Sequence, residues 1–175
     1  MRLTASLTVY VGAILAANLL TTHYGLVPVG LGMLVTAGTF AAGFALLARD
    51  LVQRDGGIRW AFGAIAVGGL LSWLLADPFI ALASVVAFTA AELIDLAVFT
   101  PIRPHGFVRA ALASNIVSAP IDTVIFLWIA GFGVTANAVG GQFIGKVIWA
   151  TVLPLALYVG GRRAFLRQPI NTTGA

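Results

Sequence analysis

The chain has 175 residues, 60% of them hydrophobic and only 9% charged, with a net charge of +4 and no cysteine. Soluble domains are about one quarter charged, so this composition excludes an ordinary soluble domain. The missing cysteines exclude disulfides, thiol catalysis and thiolate metal sites.

The apolar residues fill long runs, and about 20 of them in a row suffice to cross a bilayer as helix. Six such spans are predicted in chain order: 3–22, 30–49, 60–76, 79–99, 108–131 and 138–160. The first begins with Arg2 and could pass for a secretory leader, but it lacks a polar region with a small-residue cleavage site and is read as a retained helix. The expected fold is an all-α integral membrane protein, a compact six-helix bundle forming one domain over 1–160. The basic tail 161–175 is expected to be cytoplasmic and mobile.

Basic residues report orientation. Arg2, the 49–59 connection (Arg49, Arg54, Arg59), the 100–109 connection (Arg103, Arg109) and the C-terminus (Arg162, Arg163, Arg167) alternate with connections that carry no Lys or Arg. The rule that cytoplasmic loops are positive then puts both termini inside, in the plasma (inner) membrane of a prokaryote, with the net charge reporting topology and not nucleic-acid binding. Small residues such as Ala37-Gly38, Ala41-Ala42-Gly43 and Gly68-Gly69 suit close helix packing.

Ionisable groups at bilayer depth cost about 2.5–3.5 kcal/mol each on insertion scales, so those present are informative. They are Glu92, Asp95, Asp122 and Lys146, joined by the uncharged Asn18, Asn115 and Gln142. At about 1.5 Å per residue, Glu92 and Asn115 fall at one depth and Asp122 and Lys146 at another. Phe88, Glu92, Asp95 and Phe99 share one helical face; so do Asn115, Ser118, Asp122 and Phe126, and so do Gln142, Lys146 and Trp149. No other basic residue is expected at the depth of Glu92. Asp122 with Lys146 can also be read as a structural ion pair that fixes helix register. Asp50 and Arg54, spaced i, i+4, read as a salt bridge at the cytoplasmic end of the second helix. Within the fifth span, Pro120 in "SNIVSAPID" removes a backbone hydrogen bond, which predicts a locally opened helix facing a polar pocket.

No zinc-protease, nucleophile-elbow, phosphate-loop or dinucleotide-loop pattern is present, and no nucleophile–base pair can be assembled. The reading is therefore not an enzyme, with no cofactor and no metal. An asymmetric pocket of polar and aromatic side chains suits a small flat solute.

Four blocks carry a resemblance: "GTFAAGFALLARDLVQRDGG" (38–57), "AFTAAELIDLAVFTPIR" (87–103), "ASNIVSAPIDTVIFLWIAGF" (113–132) and "GKVIWATVLPLALYVG" (145–160). Together they resemble the VUT family, the queuosine precursor transporters; "AANLL" (16–20) resembles the family's first-helix block less strongly. The third helix has no distinctive match, and the connections are short. The resemblance implies import of 7-cyano-7-deazaguanine or 7-aminomethyl-7-deazaguanine for tRNA modification. Glu92 or Asp122 would take the guanidine-like edge, with Asn115 and Lys146 at the carbonyl edge and Phe88, Phe126 or Trp128 stacking on the ring. Asn18 and Asp95 complete the expected binding set, and Asp50 with Arg54 would form a gating pair at the cytoplasmic end. The alternative is the substrate-binding subunit of an energy-coupling-factor vitamin transporter, whose docking motif Ala13-x-x-x-Ala17 resembles. A third reading is a non-transporting scaffold. A small bundle of this kind is compatible with a homodimer.

Overall fold

The computed structural model describes residues 2–152 and 156. Among them are six α-helices and one short hairpin: α1 (Arg2–Tyr24), β1 (Leu26–Gly30), β2 (Met33–Thr36), α2 (Thr39–Gly56), α3 (Ile58–Leu75), α4 (Pro78–Ile102), α5 (Phe107–Ile129) and α6 (Ala136–Phe143). A 3-10 turn, Arg103–His105, joins α4 to α5, and α6 runs on as a π-helix over Ile144–Val152. The remainder of the sixth predicted span and the tail 161–175 lie outside the described residues.

Among the described residues, four helices are long and apolar enough to cross a membrane, namely α1, α3, α4 with the turn that follows it, and α5. Their boundaries follow from local chemistry. Asp77 caps α4 by accepting from the backbone N–H groups of Phe79 and Ile80, with Pro78 at the first helical position where its missing donor costs nothing. Gly57, at φ 88°, turns the chain directly from α2 into α3, a backbone conformation that disfavours any side chain. Thr135 caps α6 by accepting from the N–H of Ala138.

The second predicted span is redrawn. Residues 26–36 form an antiparallel hairpin in which Leu26 pairs with Thr36, Val27 with Val35 and Pro28 with Leu34. Its turn carries positive φ at Gly30, Leu31 and Gly32. A short apolar run reads the same as strand or helix, and only the turn geometry separates the two. As a result α2 starts at Thr39 and extends to Gly56, well beyond the predicted end at residue 49. Among the described residues the fold thus departs from a purely helical bundle at this one place. The fifth helix also departs from expectation: α5 is continuous through Pro120 and is not locally opened.

The polarity of the bundle is inverted relative to a soluble protein. Large apolar side chains face outward, among them Leu70, Leu74, Phe79, Leu93 and Trp128, while Asn18, Arg49, Asp50, Glu92, Asp95, Asn115, Asp122, Gln142 and Lys146 are all buried. Half-exposed Trp60 and Trp73 lie towards the two ends of α3. Tyr10, Ile14, Leu46, Val52, Ile65, Phe88 and Val147 form the main apolar core between α1, α2, α3, α4 and the π-helical stretch. A second cluster joins Leu47 and Phe99 to Ala110 and Ala111 of α5.

Helix approach is closest where glycines sit. A Cβ on Gly38 would fall against the carbonyl oxygen of Ala17, and one on Gly69 against the side chain of Val85. A Cβ on Gly63 would meet nothing within 4 Å. Gly38→Ala should therefore lower the thermal midpoint of the purified protein, because the obstacle is backbone and cannot rotate away. Gly63→Ala should leave it unchanged or raise it, by up to about 1 kcal/mol of stability. Equal midpoints for the two variants would contradict this account of the α1–α2 contact.

Candidate functional site

A cavity lies where α1, the hairpin, α2, α4, α5 and α6 converge. It is lined by Ala17, Asn18, Thr21, Thr36, Gly38, Thr39, Ala42, Ser84, Phe88, Asp122, Phe126, Gln142 and Lys146. Most of its polar side chains are tied into the bundle. Asn18 donates from Nδ2 to Ser72 Oγ at 2.8 Å and accepts at Oδ1 from Ser84 Oγ, linking α1 to α3 and α4. Thr21 Oγ1 donates to the Ala17 carbonyl and accepts from the Gly38 N–H. Lys146 Nζ donates to Asp122 Oδ2 at 2.5 Å and to Thr123 Oγ1 at 2.9 Å. The π-helical turns place Lys146 beside Asp122; π-helical segments are rare and occur often at functional sites. Phe88 and Phe126 supply apolar walls.

The cavity is far smaller than the usual small-molecule pocket, which runs from about 300 to 1,000 Å³. Only about 20 Å³ of it can be occupied by the centre of a water molecule, against the roughly 10–15 Å³ that one water needs. A molecule much larger than water therefore fits only after side chains or helices part.

A second polar cluster is built on Arg49, the largest fully buried side chain among the described residues. Its guanidinium donates from Nε and Nη2 to Asp50 Oδ1 at 3.0 and 2.6 Å, and from Nη1 to Glu92 Oε2 at 3.1 Å. Nη2 also lies 2.7 Å from Asp95 Oδ1 and reaches Asn115 Oδ1 at 3.4 Å. The four charged residues are each at most 1% exposed. One cation thus connects α2, α4 and α5 and faces three carboxylates. Desolvation makes such a set costly to assemble and still more costly to break.

These contacts revise several sequence expectations. Arg49 belongs to the interior and not to the connection between the second and third helices. Glu92 does have a basic partner at its depth. Glu92, Asp95 and Asn115 gather on Arg49 and do not line the cavity, whereas Asp122, Lys146, Asn18, Phe88 and Phe126 do. Trp128, expected to stack on a solute, is 76% exposed on the outer face of α5. The Asp50–Arg54 bridge does not form. Asp50 pairs with Arg49, while Arg54 Nε donates to Asp55 Oδ1 at 2.8 Å and its guanidinium lies 5.6 Å from the Phe107 ring centroid. Ala13 and Ala17 are buried, so the resemblance to a docking motif falls on a face already packed within the chain.

Residues that sequence reasoning left out of the expected site are Arg49, Ser72, Ser84, Thr123 and Gln142. Arg49 would have been found by extending the second helix: counted from Thr39 it lies about 15 Å along the axis. The serines carry no signal in sequence, because a small hydroxyl in an apolar helix looks like packing.

Lipid-length helices surrounding a cavity lined by buried polar groups define a multi-pass membrane protein. A family model described as "Putative vitamin uptake transporter" matches residues 4–160. The chain belongs to this vitamin uptake transporter family. Neither a curated protein nor a solved structure matches it significantly.

Arg49→Met should destabilise the protein by about 3–5 kcal/mol, since it strands buried carboxylates. Adding Glu92→Gln and Asp95→Asn to that variant should restore part of the loss. Thermal melting of the detergent-solubilised protein reads both effects; an Arg49→Met variant as stable as wild type would remove Arg49 from this structural role.

Proposed function

We propose that the protein imports a queuosine precursor, 7-cyano-7-deazaguanine or 7-aminomethyl-7-deazaguanine, into the cytoplasm of a prokaryote. In this reading the chain crosses the inner membrane six times with both termini inside, consistent with the alternation of its basic connections. The observation that carries the proposal is the buried Asp122–Lys146 pair, set in a cavity with Phe88 and Phe126 on its walls.

Such a pair matches the edge of a guanine-like base. The carboxylate accepts from the ring N1–H and the 2-amino group together, a two-point charge-assisted contact that is strong away from water. The ammonium donates to the neighbouring ring carbonyl. Both charges keep a partner while they exchange each other for the base, so neither is left bare in the bilayer. Phe88 and Phe126 offer aromatic surface to the ring. Asp122 is favoured over Glu92 as the base's carboxylate because Glu92 is held on Arg49. Opening of the tight cavity is then the conformational step of transport, with solute entering from one side and leaving to the other.

The test is rescue of tRNA queuosine in a bacterium that lacks both deazaguanine synthesis and its own transporter, supplied with trace 7-cyano-7-deazaguanine. Wild type should rescue without any added ATPase module. Asp122→Asn and Lys146→Met should each lower initial uptake by roughly tenfold or more, the scale of a lost charge-assisted contact. Trp128→Ala should transport within about twofold of wild type, since surface changes of this kind have small effects. Absence of rescue by wild-type protein shown to be folded in the membrane would reject this substrate.

A further inference from the structure

Gln142 stands apart from the other polar groups of the cavity. Asn18 has both ends of its amide occupied, and Thr36 and Thr39 bond to each other. Gln142 is 1% exposed and lines the same cavity, yet neither its Oε1 nor its Nε2 has a hydrogen-bond partner among the described residues. Buried amides are almost always paired, so an unpaired donor and acceptor facing a cavity call for a partner from outside the fold. Its neighbour Gly141 is pressed on the hairpin, where a Cβ would come 3.0 Å from the Leu34 carbonyl oxygen, so α6 has little freedom to turn the amide away.

We infer that Gln142 reads the solute, and that it selects a free base over a nucleoside. A primary amide presents a donor and an acceptor side by side. It pairs at two points with a ring edge that carries an N–H next to a bare ring nitrogen, the edge by which a purine-like base joins its sugar. Oε1 accepts from that N–H and Nε2 donates to the ring nitrogen. Ribose on that position would remove the donor, leave Oε1 unsatisfied and add bulk to a cavity with almost no spare room. This inference rests on the cavity being the solute site. It leaves the opposite edge of the base to Asp122 and Lys146, and all three residues line one cavity.

The experiment is equilibrium binding to the full chain in lipid nanodiscs. The probes are 7-cyano-7-deazaguanine and its 9-methyl derivative (purine numbering), tested on wild type and Gln142→Met. Wild type should prefer the unmethylated base by at least about tenfold. Gln142→Met should shrink that preference to within about twofold, without lowering the thermal midpoint, because it removes two unpaired polar atoms from the interior. A structural role would instead lower the midpoint. Retention of the full preference in Gln142→Met overturns the inference and leaves the proposed substrate standing. Equal affinity of wild type for the two probes also overturns it, with no variant needed. If wild type binds neither probe, the deazaguanine reading fails, and the same comparison is made with adenine and hypoxanthine against their 9-methyl forms. A Gln142-dependent preference there keeps this inference, and no binding of any base overturns both.

Discussion

The structure depends on one guanidinium. Arg49 reaches an aspartate on its own helix, two carboxylates on α4 and an amide on α5, in an interior closed to water. Where the dielectric is low these attractions are strong and their loss is severe. The planar fork of arginine suits this task, since it can address several oxygens from one rigid centre, which a lysine ammonium on a flexible stem cannot. Three helices are thereby held in register, and Phe88, one turn from Glu92 on α4, is carried into the wall of the cavity.

The cavity uses the same economy of polar groups differently. The Arg49 cluster knits its helices together, whereas the cavity keeps its polar groups at the meeting point of six elements. Asp122 and Lys146 satisfy one another, the amide of Asn18 is held by two serines, and the amide of Gln142 is open among the described residues. Polar groups in lipid-embedded helices are retained where they pair or where they meet a solute. One cluster is built on a guanidinium and the other borders a cavity, although both use the same few residue types.

The hairpin is the structural element that makes the cavity possible. By occupying residues 26–36 it moves the start of α2 downstream, brings Thr36, Gly38 and Thr39 to the cavity wall, and gives α6 a surface to pack on. That shift also moves Arg49 from an expected loop to the interior. One misread segment thus accounts for both the missing partner of Glu92 and the misassigned Asp50–Arg54 bridge.

Much was legible from the chain itself. Membrane residence, the helices at 60–76, 79–99 and 108–131, and the burial of Glu92, Asp95, Asn115, Asp122 and Lys146 follow from run length and from the cost of charge in lipid. Asp122 and Lys146 could be placed at one depth by counting residues along a helix. What the chain could not express is rotation and pairing between elements. Helical spacing puts Glu92, Asp95 and Asn115 on inward faces but does not say that a single arginine from a third helix will bind them all. The same spacing sets Trp128 about 200° round α5 from Phe126, so an outward Trp128 was legible once Phe126 was put on the polar face. Spacing cannot show that Asn18 is held by two serines while Gln142 is left open. Depth is a one-dimensional quantity that a sequence carries; which side chains share a hydrogen bond is set only when the helices pack.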